Sequence, residues 1–183
     1  MAQVDAIFSK SRRWGHNENI QFWKQAGVEG AQGNDPISIY GRNSASGTYG
    51  FFKEHALKNG DFKDEVKEQP GSASVVQSVS EDQSGIGYSG IGYLTSNVRA
   101  VPLAEKEGAA FNEANQQNAD NGSYPLWRHL FIYVNKAPNK PLDPIVGEFL
   151  KFIYSKEGQQ VVIKDGFFPL KADAVEKELK KLE

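Results

Sequence analysis

The 183-residue chain contains no cysteine, so disulfides, thiolate metal sites and cysteine nucleophiles are all excluded. That absence suits cytosol and periplasm alike. No stretch approaches the roughly 20 consecutive apolar residues that a membrane-spanning helix needs. Neither sign of charge dominates: 21 basic residues meet 23 acidic ones, a net charge of −2. Nucleic acid and anionic membrane are therefore not expected partners, although a small-anion site built from local dipoles and one or two side chains stays open. His16, His55 and His129 lie in different segments with no His-x-x-x-His spacing, so no metal site and no cofactor are expected. Glu18, Asp35, Glu54 and Asp61 show no pairing in sequence that would support glycosidase chemistry. The opening "MAQVDAIFSK" lacks the basic-then-apolar pattern of an export signal. The expectation is a protein that is not exported, or one whose signal lies outside this sequence.

What is present is a folded chain. Hydrophobic residues make up 39% and aromatic residues 11%, enough for a core and too much for a disordered segment. The length suits one domain or two small lobes. Val4, Ile7 and Phe8 fall on one face of a short helix, followed by a polar loop. Ile37–Gly41 reads as a strand, and residues 47–57 as a half-buried helix ending at "KNGD". After Pro70-Gly71, Ser72 is a candidate helix cap ahead of Val75, Val76 and Val79. "SGIGYSGIGYL" and "VRAVPLA" read as strands, the second held to an edge or an end by Pro102. Residues 105–123 suggest a weak helix, and "HLFIYVN" the strongest strand of the chain. Asp143 and Pro144 open an apolar helix, "SKEGQQVVIKDG" gives another, and "ADAVEKELKKLE" a charged terminal one. The alternation of strands and helices indicates an α/β layered fold.

The stretch "ISIYGRNSASGTYGFF" carries the strongest chemical signal. A helix N-terminus leaves four main-chain N–H groups without intrahelical partners and carries about half a positive charge. Glycine permits close approach to that backbone, and serine and threonine add hydroxyl donors. Arg42, four residues before Ser46, can add a bidentate guanidinium. The combination suits phosphate or a related tetrahedral oxyanion. A plain capped helix beside a surface arginine is the competing reading. A Walker-type loop is a poor fit, since its lysine is missing, and G-x-S-x-G is not matched around Ser44 or Ser46.

Arg42-x-x-x-Ser46-Gly47-Thr48 resembles the arginine-x-x-x-Ser-Gly-Thr signature of periplasmic phosphate-binding proteins, the solute receptors of phosphate ABC transporters. Further segments resemble the same family in the same order: "DAIFSKSRRWG", "QPGSASVVQSV", "GIGYSGIGY", "YPLWRHLFIYVNK" and "FLKFIYSKEGQQVVIKDGFFPL". In the first, the family's Phe-x-Gly is replaced by Phe8-Ser9-Lys10. The resemblance implies an α/β periplasmic-binding-protein type II lobe, a mixed sheet flanked by helices, plus C-terminal helices from the other lobe. Residues 1–124 would form the second lobe. Residues 125–183 would supply the return crossover strand and the C-terminal helices that normally complete the first. It implies phosphate as ligand of Arg42, Ser46, Gly47 and Thr48, an ABC permease as partner, a periplasmic location, and no bond chemistry. The family's remaining donors, including the aspartate that accepts the proton of hydrogen phosphate, have no counterpart in this sequence. The expectation is weak phosphate binding by this chain alone.

Other residues carry two readings each. Ser72 could donate to the same ligand from a second helix N-terminus, or simply cap its helix. Tyr88 and Tyr93 could wall the cleft or serve as packing. Arg128 could reach the cleft or form a surface or hinge ion pair. Phe149, Phe152, Ile153, Val161 and Val162 would expose apolar surface unless paired, which points to a homodimer or a domain swap through the C-terminal helices. Two other functions stay open: a phosphate-ester hydrolase with Ser44 or Ser46 as nucleophile, and an adhesion module that keeps the fold without the ligand.

Overall fold

The computed structural model describes residues 1–182. The chain divides into two compact units, Met1–Arg128 and His129–Glu183.

In the first unit, three parallel strands form a sheet in the order β2-β1-β3, with β1 (Ser38–Arg42) between β2 (Lys67–Gln69) and β3 (Gly85–Gly87). Parallel neighbours need crossover connections. Helix α2 (Gly47–Leu57) carries the chain from β1 to β2, and α3 (Ser72–Glu81) from β2 to β3. Helix α1 (Ala2–Phe8) packs beside α2; of the face that its sequence spacing predicts, Ile7 and Phe8 are buried and Val4 is partly buried against the core, with Asp5 and Ala6 buried as well. Edge strand β2 was not foreseen, because "KEQ" has neither the β-branched residues nor the alternation that mark a strand.

The core is aromatic. Phe52 stacks on Tyr88 with ring centroids 4.0 Å apart and planes 8° off parallel, while Phe8 meets both edge-on. Ile7, Ile20, Ile39 and Leu57 close around them. Fully burying one such aromatic side chain contributes about 1.5–3 kcal/mol. Below this layer the Asp5 carboxylate is fully buried and accepts the Trp14 main-chain N–H at 2.8 Å, pinning the loop after α1.

Several expected elements did not form. "VRAVPLA" contributes only an isolated antiparallel bridge, Leu103 with Asn112. The weak helix over 105–123 shrinks to α4 (Gln116–Asp120), whose Asn115 side chain caps Asn118 N–H. "HLFIYVN", read as the best strand, has no ladder partner among the described residues and exposes Leu130, Phe131 and Tyr133. A continuous apolar run suits a strand covered on both faces, and strand structure exists only through pairing. The three strands of the described sheet pair in parallel, with helices flanking them.

The second unit carries α5 (Pro144–Tyr154), α6 (Lys156–Lys164) and α7 (Ala172–Leu179). Asp143 caps α5 by accepting the N–H groups of Ile145 and Val146, with Pro144 at the first helical position as expected. Gly158 lets α6 turn tightly against α5, since a Cβ there would collide with the carbonyl oxygens of Phe152 and Ile153. Ile145, Phe149 and Phe152 stay exposed within this unit.

Candidate functional site

The strand-to-helix junction folds as its sequence indicates. Strand β1 ends at Arg42, a turn closed by Ser46 N–H donating to Asn43 C=O (3.1 Å) follows, and α2 begins at Gly47. Ser46 is the helix cap: its Oγ accepts the N–H groups of Thr48 (3.1 Å) and Tyr49 (3.4 Å). A hydroxyl that accepts twice still has its own hydrogen to donate. No acidic residue lies in the first turn of α2, so no side chain of that turn neutralises the positive end of the helix dipole.

Arg42 is the most constrained member. Its Nη1 donates to Ser72 Oγ at 2.7 Å and its Nη2 to Pro70 C=O at 3.4 Å. Its Nε is buried and meets no acceptor. Guanidinium carries five N–H donors, so the two bonds to Ser72 and Pro70 leave three for something else. The structure thus brings Arg42 and Ser72 into direct contact across thirty residues of sequence.

Ser72 is not the cap expected from the sequence. Gly71 occupies that position, and Ser72 is the first residue of α3. Ser74 Oγ accepts the Gly71 N–H and donates to the Gly71 C=O, both at 3.1 Å, which frees the Ser72 hydroxyl for Arg42. Ser72 C=O in turn accepts from Ser89 Oγ at 3.1 Å.

Two residues read only ambiguously from the sequence sit against this junction. Arg128 lies over the Phe51 ring, its guanidinium carbon 5.1 Å from the centroid. Both its terminal nitrogens come within 4.0 Å of where a Cβ of Gly47 would stand. A second guanidinium therefore stands at the positive end of α2, where no sequence pattern could have placed it. Tyr88 is packing, as one of its readings had it, but its hydroxyl also meets the main chain of Arg42. Burial pushes its pKa up to about 12, opposed by the Arg42 hydrogen bond, so the phenol stays neutral and able both to donate and to accept. Tyr93 is exposed in a 3-10 turn, Ile91–Tyr93. No cluster of histidine, aspartate or glutamate suited to a metal occurs among the described residues.

Residues 1–157 match a family model described as a PBP superfamily domain. The chain belongs to that superfamily. It is 60% identical over 182 residues to the phosphate-binding protein PstS of Pseudomonas aeruginosa, covering 100% of this chain and 56% of that protein. A possible phosphate binding protein from Planctomyces limnophilus superimposes with a TM-score of 0.68 at 26% identity, over 99% of this chain and 62% of that one. A Clostridium perfringens protein solved with bound phosphate gives the same TM-score, 0.68, at 24% identity, over 93% and 62% of the two chains. The chain thus spans little more than half the length of the PstS that it matches. The superfamily assignment agrees with the α/β architecture of parallel strands and flanking helices.

Proposed function

We propose that the chain binds inorganic phosphate, or a closely similar tetrahedral oxyanion, at the N-terminus of α2. The observation that carries this reading is Arg42: a guanidinium held by Ser72 and Pro70, with a buried Nε that has no acceptor, at the strand end leading into a capped helix. An oxyanion supplies the missing acceptor, and Arg42 offers it a charged, orientable fork. Ser46, Gly47 and Thr48 would donate from hydroxyl and main chain, and Ser72 would hold Arg42 in place or share the ligand. Arg128 adds a second positive charge beside Gly47. The PstS of P. aeruginosa, named for phosphate, and the phosphate-loaded C. perfringens structure support the choice of anion.

On this reading the protein is the solute receptor of an ABC importer, works outside the cytoplasmic membrane, delivers to a permease and performs no bond chemistry. No described helix is long and apolar enough to cross a membrane. A serine nucleophile is disfavoured by Ser46 itself, whose Oγ is engaged as an N-cap by two main-chain N–H groups. The division of labour proposed from sequence is retained: residues 1–124 as one lobe, with 125–183 as crossover and helices that complete another.

The test is a thermal-shift series over phosphate, sulfate and molybdate. It would be run on the 183-residue chain and on one extended at its N-terminus to the length of PstS. A phosphate-selective rise in melting temperature, larger in the extended protein, is expected. No anion-dependent rise in either protein would refute the assignment and favour the adhesion-module alternative.

A further inference from the structure

Arg42 projects from the last residue of a short central strand, where the sheet no longer fixes it on one side. Strand β3 pairs with β1 only as far as Gly87 opposite Tyr40, two residues before Arg42. Past that point the main-chain N–H and C=O of Arg42 on this side need another partner. The residue after Gly87 supplies it. Tyr88 Oη accepts the Arg42 N–H at 3.1 Å and donates to the Arg42 C=O at 3.3 Å. One phenol thus replaces the missing rung of the ladder. Its ring is fixed by the stack on Phe52 and the edge contact with Phe8, so the hydroxyl is delivered from the rigid core. Gly41 makes the approach feasible, because a Cβ there would stand 2.9 Å from Tyr88 Cε1 and 3.1 Å from its Oη.

We propose that Tyr88, seated against Gly41, is a positioning residue that sets the direction of the Arg42 guanidinium and thereby governs oxyanion affinity without touching the anion. This rests on the reading of Arg42 as the anion contact. The clasp holds the arginine at its backbone, and Ser72 and Pro70 hold it at the guanidinium, so the direction of the unpaired Nε between them is fixed. With phenylalanine at 88 the ring stack survives but the Arg42 N–H loses its acceptor, and the strand end is held only on its β2 side, by the pairing of Arg42 with Gln69.

The experiment compares parent, Tyr88→Phe, Gly41→Ala and, as a core control outside the clasp, Leu57→Val, all in the N-terminally extended protein. Calorimetric titration with inorganic phosphate is paired with the NMR signal of Arg42 Nε–Hε. Tyr88→Phe and Gly41→Ala should each weaken phosphate binding by up to about tenfold, as loss of a part-buried neutral hydrogen bond to the Arg42 main chain implies. Both should shift or broaden the Arg42 resonance, whereas Leu57→Val lowers melting temperature and leaves both readouts unchanged. Phosphate affinity within twofold of parent in Tyr88→Phe overturns the inference. So does an equal loss in Leu57→Val, which would make the effect one of general stability. If the parent takes up no phosphate, the functional reading falls, yet the resonance still decides the clasp. An unmoved Arg42 signal in Tyr88→Phe refutes it, and a shifted one supports it.

Discussion

Replacing Arg42 by lysine keeps the positive charge and removes the fork, and the structure says how much that costs. In the parent, Nη1 and Nη2 are each engaged once, by Ser72 Oγ and Pro70 C=O, while Nε remains unpaired. Arginine can therefore keep its anchors and still present several N–H donors to an oxyanion. A lysine ammonium is a single point on a flexible stem. If it stays with Ser72 it gives the anion little, and if it turns to the anion it abandons Ser72. Either way at least one charge-assisted hydrogen bond is lost, about 1.5–3 kcal/mol, which corresponds to roughly 10- to 150-fold in affinity. Calorimetric titration of the N-terminally extended protein with phosphate measures this directly. Arg42→Ala should bind more weakly still, because it also removes the charge. Affinity of Arg42→Lys within twofold of parent would refute the argument, since binding would then depend on charge alone or lie elsewhere.

Gly158→Ala should destabilise the second unit by about 1–3 kcal/mol, because the clash is with two carbonyl oxygens that cannot rotate away; urea denaturation followed by circular dichroism reads it. Lys63 gives a pH signature: its ammonium is buried against the Ile20 carbonyl at 2.7 Å, and burial lowers its pKa from 10.5 to about 8. The folded chain then releases this proton before the unfolded chain does, so stability should rise between about pH 8 and 10.5, and Lys63→Met should flatten that rise. Tyr88 and Tyr124 act with the opposite sign, since burial raises each from 10.0 to about 12; their contribution is complete below pH 10 and is lost from there to about pH 12. Arg128→Ala should slow phosphate association by about two- to fivefold at low salt, with the difference fading as salt is raised, because Arg128 is an exposed charge at the rim. Stopped-flow kinetics over a salt series would show this, and a salt-independent difference would contradict it.

Local signals in the sequence were enough to locate the junction. A strand read to Gly41, one residue short of its end at Arg42, then small hydroxyl residues and glycine ahead of an apolar face to residue 57 follow from short-range rules, and α2 begins and ends where they put it. The same holds for Asp143-Pro144 and for Gly166, which adopts a positive φ of 81° after α6. These features depend on neighbours within one helical turn. "HLFIYVN" marks the boundary of such reasoning. Its composition is that of a covered strand, but a strand needs a partner ladder, and none of the described residues supplies one. Strand β2 is the converse case: a polar tripeptide becomes a strand because β1 offers it an edge.

By itself, then, the sequence determined the alternating α/β order, the capped N-terminus of α2 and the candidacy of Arg42, because each is written in contacts between near neighbours. Only the tertiary structure decided what surrounds that arginine. Ser72 was expected to cap a helix and instead anchors the guanidinium, since Gly71 and Ser74 close the turn before it. Tyr88 divides its ring and its hydroxyl between the core and the Arg42 main chain, and Arg128 arrives over Phe51 from the far end of the unit. The contacts of Arg42 with Ser72 and Tyr88, of Tyr88 with Phe52 and of Arg128 with Phe51 each join residues separated by thirty or more positions, and their geometry is set by how the strands pair and the helices pack.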